Sequence, residues 1–440
     1  MKNVTFIGAG YVGLVSGTGI SDFGHKVTCY DISHEKINSL KNGEVPIYEP
    51  GLQELIKKNT NAGRLFFSNN PKNSIENADV IFIAVGTPLN EDGKTDLRYV
   101  ESAAKMIGEH LNSYSVVCTK STVPIGTGKK IIKIINKSKK TNISFDYISN
   151  PEFLREGSAV NDFLWPDRII IGGKSKFAFD TMKEIYGPLF KNKQPIMYTT
   201  VATAEMIKYA SNSFLALKIS YMNEVANLCE SVGADVKQVS KAMGQDGRIS
   251  PKFLHPGPGY GGSCFPKDTK EFVEIGRKNG NLIRTIEAAI KTNDYQKIRM
   301  VKKIKKLIGG SFKNKTIGIL GLSFKPNTDD VRDSASIEMI KVIVEEGGVV
   351  NAFDPVASYS MKRIFPDISY KNSWEEACND SDGVVIMTEW NEFRGISLSK
   401  LKSMMKTPIL LDTRNIIPLE KLKENGFHFD NVGHILLDES

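Results

Sequence analysis

Cys264 stands in the stretch GPGYGGSCFPKD (257–268), where glycines and prolines lead into one thiol, and Lys267 and Asp268 follow it. A glycine-lined loop lets a ligand approach the backbone closely. A thiol becomes a nucleophile where nearby cations or donors favour its thiolate. Asp268 could hold water or balance charge. The plain alternative is a loop cysteine with no chemistry. A second group is Lys208 and Asn212 in EMIKYASNSF, four residues apart and so on one helix face. An ammonium and an amide side by side can stabilise a developing oxyanion. A surface lysine beside a packing asparagine gives the same spacing. A third group is Glu152 and Glu156 in NPEFLREGSA, which can act as general bases or cap a helix N-terminus.

The N-terminal VTFIGAGYVG sets Gly8, Gly10 and Gly13 in the G-x-G-x-x-G spacing, after an apolar strand and before a helical pattern. A second strand, KVTCYD, ends in Asp31, 18 residues beyond Gly13. This context predicts a dinucleotide pyrophosphate at the helix N-terminus. Asp31 would accept hydrogen bonds from the adenosine ribose and repel a 2′-phosphate, so NAD is favoured over NADP. With such a cofactor, a cysteine can trap an aldehyde as a thiohemiacetal, which gives up a hydride and becomes a thioester. Farther on, GLSFK keeps Gly321 but not the fingerprint spacing, so no second dinucleotide is expected there. Lys325, Arg332 and Arg414 lie in or near loops at strand ends, where open α/β sheets bind ligands. Phosphate binding and a solvated surface role both suit these cations.

Positioning these groups requires elements that the apolar pattern supplies. NVTFIGAG, KVTCYD, DVIFIAVG, SVVCTKST, DYISNP and RIIIGG read as buried strands, several separated by helix-period segments. From Thr199 to Gly233 the pattern is helical, without an intervening proline or glycine, a length that suits a spine between domains. Residues 234–310 continue mostly helical, interrupted by the 247–268 loop. Strand and helix then alternate again through KTIGILGLSFK, VVNAFDP, GVVIMTEW and PILLDTRN. The expected fold class is α/β, with two Rossmann-like parallel-sheet domains joined by a long central helix and a helical middle region. The expected segments are a cofactor-binding domain over 1–198, the helical dimerisation and catalytic-loop region over 199–310, and a second α/β domain over 311–440.

A chain of 440 residues exceeds one typical core. Its net charge of +8 is a mild excess. KSKK (137–140) and KKIKK (302–306) are short runs expected on solvated helix faces or ends. No basic stripe interleaved with aromatics points to nucleic acid. Attraction of small anions is the better use of a modest positive field. MKNVTFIGAG enters a strand directly, without the pattern of a signal peptide, and no apolar run reaches membrane-spanning length. The five cysteines are scattered, with no CxxC pair. That spacing argues for a reducing, cytoplasmic compartment and against both a disulfide framework and a metal site. Cys29, Cys118, Cys229 and Cys378 sit in apolar patterns and read as small buried hydrophobes.

GAGYVG, PIYEPGL, VGTP, KSTVPIGT, NPEFLREGSA, PDRIIIG, GPGYGGSCFPKD, LSFKPNTDDVRDS and DTRN together resemble the UDP-glucose 6-dehydrogenase family. That family lies within the wider UDP-glucose/GDP-mannose dehydrogenase superfamily, and the likeness is to bacterial members, from the first strand to about residue 420. The resemblance implies oxidation of a sugar C6 alcohol to a carboxylate with two NAD, producing UDP-glucuronate from UDP-glucose. It implies Cys264 as nucleophile, Lys208 and Asn212 as the oxyanion-stabilising pair, and Asp268 and Thr122 as residues positioning water. Glu152 matches the base for thioester hydrolysis, and Glu156 a residue touching both the cofactor and the substrate region. Lys36, Tyr11, Val12, Thr87, Lys267 and Arg332 match cofactor contacts, as do Thr122 and Cys264. Phe153, Leu154, Arg155, Phe253, Leu254, Gly259, Tyr260, Gly261, Phe324, Lys325 and Arg414 match substrate contacts, Lys325 at a substrate phosphate. Arg248 resembles an arginine donated by the neighbouring subunit of a homodimer. Sister enzymes acting on GDP-mannose or a UDP-N-acetylhexosamine are the competing reading. The N-acetylhexosamine branch typically has His before the cysteine, where this chain has Ser263. A nucleotide-binding redox sensor would also use an exposed low-pKa thiol, but it leaves Lys208, Asn212, Glu152 and Asp268 unexplained.

Overall fold

The computed structural model describes residues 1–90, 93–140, 142–191 and 196–435. They form two compact units, Met1–Ser211 and Asn212–Ser440. The helical stretch read as 199–310 divides between them at that boundary.

The first unit is built on eight strands: β1 (Asn3–Ile7), β2 (Lys26–Tyr30), β3 (Leu65–Ser68), β4 (Val80–Ile83), β5 (Ser115–Thr119), β6 (Phe145–Ser149), β7 (Ile169–Gly172) and β8 (Ile196–Thr199). Their order is β3-β2-β1-β4-β5-β6-β7-β8. Every pairing is parallel except β6 with β7, which meet antiparallel at Ser149 and Gly172. Alternate side chains feed opposite faces. Val4, Phe6, Val80 and Phe82 join one apolar cluster, and Ile7, Ile81 and Ile83 join another. Burial on both faces explains why these strands read as continuous apolar runs.

The second unit carries β9 (Thr316–Leu320), β10 (Val349–Phe353), β11 (Ser369–Tyr370), β12 (Gly383–Ile386), β13 (Ile409–Asp412) and β14 (His428–Asp430). Their order, β11-β10-β9-β12-β13-β14, is all parallel and repeats the pattern of the first six strands of unit one. One face of this sheet is covered by Met222, Ala226 and Cys229 together with Met300, Val301 and Ile304. The first three lie on the Val201–Val232 helix and the others on the Arg284–Leu307 helix. Lys303, in the KKIKK run, is not on a solvated face. Its side chain is 10% exposed and bridges Glu230 and Asp430.

Candidate active site

In the first unit, the strand β1 turns into the Tyr11–Asp22 helix at the glycine fingerprint. Gly8 has φ +105°, and a Cβ on Gly13 would lie 1.8 Å from the Gly8 carbonyl oxygen, so strand and helix close tightly only with glycine at both. A Cβ on Gly10 would meet no heavy atom within 4 Å. The helix therefore opens on free space at its N–H end, which fits a pyrophosphate. Asp31, at the end of β2, accepts from Ala9 N–H at 2.9 Å and from Lys36 Nζ at 3.0 Å. The cofactor candidates Thr87 and Thr122 also meet, Thr87 Oγ1 donating to the Thr122 carbonyl at 3.0 Å.

The segment after β6 carries Glu152. Lys208 Nζ donates to its carboxylate at 2.9 Å and to its carbonyl oxygen at 2.7 Å, with both side chains at or below 7% exposure. Phe153 stacks under the Arg168 guanidinium at 3.8 Å, with Lys208 Nζ 5.3 Å from the same ring. Arg155 is drawn to Asp162 through its backbone N–H and its guanidinium. Behind this segment lies Lys120, 4% exposed, donating to Asn150 Oδ1 at 3.1 Å and to Tyr186 Oη at 3.2 Å. Burial pulls its pKa down to about 8, against weaker opposing pulls from Cys118 and Glu152. Glu205, three residues before Lys208, accepts from Gly126 N–H and Gly128 N–H at the start of the Thr127–Ser138 helix.

One helix, Val201–Val232, carries Lys208 at the end of the first unit and Asn212 at the start of the second. The two polar groups serve different carboxylates. Asn212 Nδ2 donates to Asp268 Oδ2 at 2.6 Å, while Lys267 Nζ lies 2.6 Å from Asp268 Oδ1. Asp268 is thus a buried carboxylate held from both sides. Cys264, half-buried, is the N-cap residue of the Phe265–Lys278 helix, at the positive end of its dipole, and its side chain makes no capping hydrogen bond there. Burial raises the other four thiols, Cys29 to about 12, and leaves them unreactive.

The glycine loop before Cys264 is packed against the 322–334 segment of its own unit. Gly262 N–H donates to the Arg332 carbonyl at 2.7 Å, and a Cβ on Gly261 would lie 2.5 Å from the Asp333 carbonyl oxygen. Buried amides absent from the sequence reading set the loop's shape. Asn293 brackets Tyr260 through its N–H and carbonyl, Asn223 accepts from Gly257 N–H, and Gln296 donates to the Gly257 carbonyl. The only signal for them was a polar side chain on an otherwise core-facing helical stripe. Tyr260 and Phe253 both pack against Phe265, and Leu254 is buried.

Arg414 reaches back to the carbonyls of Met387 and Phe324, beside Glu389, and its Nη1 would lie 3.5 Å from a Cβ on Gly257. Lys325 Nζ sits 5.4 Å from the Phe324 ring. Arg332 pairs with Asp330, and Arg248, whose side chain is 89% exposed, with Asp246. At the place in the second sheet equivalent to Asp31, just after β10, stands Asp354. It accepts from Leu322 and Ser323 N–H, Val356 and Ala357 N–H, and the Trp390 indole. Among the described residues, no group of three or more His, Cys, Asp or Glu could hold a metal, and no helix is long and apolar enough to cross a membrane.

Three stretches match the models of a single family: residues 2–190 its NAD binding domain, 202–295 its central domain and 318–418 its UDP binding domain. The chain belongs to the UDP-glucose/GDP-mannose dehydrogenase family. It is a nucleotide-sugar oxidoreductase with an NAD-binding domain and a UDP-binding domain. It is 46% identical over 435 residues to a UDP-glucose 6-dehydrogenase of Rhizobium meliloti, covering 98% of this chain and 99% of that one. It is also 46% identical to the UDP-glucose 6-dehydrogenase TuaD of Bacillus subtilis, over 98% and 93% of the two chains. A UDP-glucose dehydrogenase structure from Pyrobaculum islandicum superposes with a TM-score of 0.92 at 35% identity, over 99% and 98% of the chains.

Proposed function

We propose that the protein oxidises C6 of UDP-glucose to the carboxylate of UDP-glucuronate, using NAD twice and a covalent intermediate on Cys264. The observation that carries this reading is Cys264 itself. It stands at a helix N-terminus, at the end of a glycine loop folded onto the UDP-binding domain. Bound at the Gly8–Gly13 turn, NAD supplies the hydride acceptor for both oxidations. Loss of hydride and hydroxyl proton turns the C6 alcohol into an aldehyde. Cys264 Sγ bonds to C6, giving a thiohemiacetal, and loss of a second hydride and a proton leaves a thioester. Lys208 and Asn212 stabilise the oxyanions on these paths. Asp268 and Thr122 position the water, and Glu152 takes a proton from it. The C6–S bond then breaks, the water oxygen stays in the carboxylate, and the thiol is restored.

The working form is a cytoplasmic homodimer in which Arg248 reaches the partner's substrate. Phe214, Tyr221 and Leu228 support it: they recur every seven residues along the Val201–Val232 helix and are each at least half exposed. The exposed Arg248 supports it too. The test is a spectrophotometric screen of UDP-glucose, GDP-mannose and UDP-N-acetylhexosamines with NAD. Two NADH per UDP-glucose is expected. Turnover of another sugar in preference to UDP-glucose would redirect the reading to that sister activity.

A further inference from the structure

Three motifs that lie far apart in sequence converge on one side chain that has no role in the reading above. Glu49, in PIYEPGL, is 6% exposed. Its Oε1 accepts from Ala159 N–H at 2.7 Å, and its Oε2 accepts from Gly157 N–H at 2.6 Å. The same Oε2 accepts from the Tyr11 hydroxyl, and Tyr11 Oη also receives Gly157 N–H at 3.1 Å. Tyr11 is the first residue of the helix that follows the open Gly10 turn. Gly157 and Ala159 close the segment that begins at Glu152 and includes Glu156. Gly157, at φ +79°, makes a left-handed turn there.

We propose that Glu49 is a positioning residue, which locks the Glu152–Glu156 segment to the cofactor-binding turn through Tyr11. A buried carboxylate that loses a donor is left with an unmet charge, so its three partners hold one another in place. Movement of Tyr11 when the dinucleotide settles at Gly10 is thereby transmitted to the peptide beside Glu156. Burial, the Glu49 hydrogen bond and charge, and the nearby Glu156 charge all raise the proton affinity of Tyr11, so the phenol remains a donor. Lys208 holds the front of the same segment at Glu152 and Asp162 holds its middle at Arg155, so Glu49 supplies the third fixed point. Because two NAD are used in succession for each sugar, the segment must be registered afresh with each one. That consequence rests on the reading above, whereas the coupling itself needs only NAD binding.

The test uses the full chain and Glu49→Gln, Tyr11→Phe and the double variant. Gln keeps the shape but offers one acceptor oxygen, and its amide then faces a backbone N–H. NAD affinity is measured by calorimetry without sugar, and amide exchange at Gly157 and Ala159 by mass spectrometry with and without NAD. In the parent protein NAD should slow exchange at both amides. Glu49→Gln should speed that exchange, remove its response to NAD and weaken NAD binding about tenfold or more. UDP affinity should not change. Tyr11→Phe should weaken NAD less, and the double variant no more than Glu49→Gln alone. Unaltered NAD affinity in Glu49→Gln would overturn the inference, as would additive effects in the double variant. If Glu49→Gln does not fold, Tyr11→Phe decides: it must lose part of the NAD-dependent protection at Gly157. A parent protein that binds no NAD at all would instead sink the cofactor assignment.

Discussion

Lys208 donates twice to Glu152, to the side chain at 2.9 Å and to the main-chain carbonyl at 2.7 Å. One ammonium thus fixes both the charge and the backbone of the residue assigned to activate water. Both groups are buried, so each charge depends on the other for its solvation.

Removing the cation should therefore cost more than neutralising the acid. Lys208→Met leaves the buried Glu152 carboxylate with the Leu154 N–H but without its ammonium partner, and should destabilise the fold by about 3–5 kcal/mol. Glu152→Gln leaves the lysine two carbonyl-type acceptors and should cost less. Urea midpoints of the two variants give the comparison, and a loss from Glu152→Gln as large as that from Lys208→Met would overturn this order. Both should lower kcat, Lys208→Met by about a hundredfold or more through the lost oxyanion contact.

Lys120 makes a pH prediction. Its pKa is about 8 in the folded chain against 10.5 for an ordinary lysine. Between those values the unfolded chain holds a proton that the folded chain lacks, so rising pH favours folding. The burdened ammonium weakens the fold fully below about pH 8, and that cost disappears toward pH 10.5. The stability of the parent relative to Lys120→Met should rise across this window by about 3 kcal/mol. Urea unfolding of both proteins at several pH values measures it. A constant difference would mean that Lys120 keeps its proton throughout.

Most strands were legible because both faces of each sheet are covered, so their runs, from NVTFI to RIIIG, are mostly apolar. The edges were not. Leu65–Ser68 is four residues long and exposes Phe66, while Ser369–Tyr370 and His428–Asp430 are shorter still. An apolar run also carries no direction, so the reversal at β7 was invisible. Within the site, Gly8, Gly10 and Gly13 were legible because their spacing falls between an apolar strand and a helical pattern. The Lys208–Glu152 and Asn212–Asp268 pairs each span 56 residues, and no local pattern announces such a partner. The i,i+4 spacing puts Lys208 and Asn212 on one helix face, but it does not announce that Lys208 donates to Glu152 and Asn212 to Asp268.

On the proposed reading, Asp31 would set cofactor choice by a second route as well as by repulsion. Its carboxylate holds the Lys36 ammonium at 3.0 Å, so a 2′-phosphate cannot recruit that cation without competing with Asp31. Asp31→Ala removes the repulsion and releases Lys36, while also deleting the ribose acceptor and the bond from Ala9 N–H. The ratio of kcat/KM for NAD over NADP should fall about tenfold or more, mostly through a higher KM for NAD. Adding Lys36→Ala should restore part of the discrimination by taking away the cation. An unchanged ratio in Asp31→Ala would remove Asp31 from the ribose site.

Cys264 distinguishes a two-step oxidation from a plain alcohol dehydrogenase. Without an acyl carrier the reaction would stop at the aldehyde, with one NADH per sugar. With it, two NADH form and little aldehyde escapes. Cys264→Ser keeps an oxygen that can add to the aldehyde, but the resulting ester is a poorer acyl donor than a thioester. The variant should complete both hydride transfers once and stall with the sugar attached through C6. Intact-protein mass spectrometry after incubation with NAD and UDP-glucose should find that adduct, and peptide mapping should place it at position 264. Cys264→Ala removes the attachment point and should form no adduct. Its Asn212–Asp268 bond and the loop contact from Gly262 to Arg332 do not involve the sulfur, so the fold should persist. Sustained turnover by Cys264→Ala with two NADH per sugar would exclude the thioester route, leaving the glycine loop to bind the nucleotide sugar and nothing more.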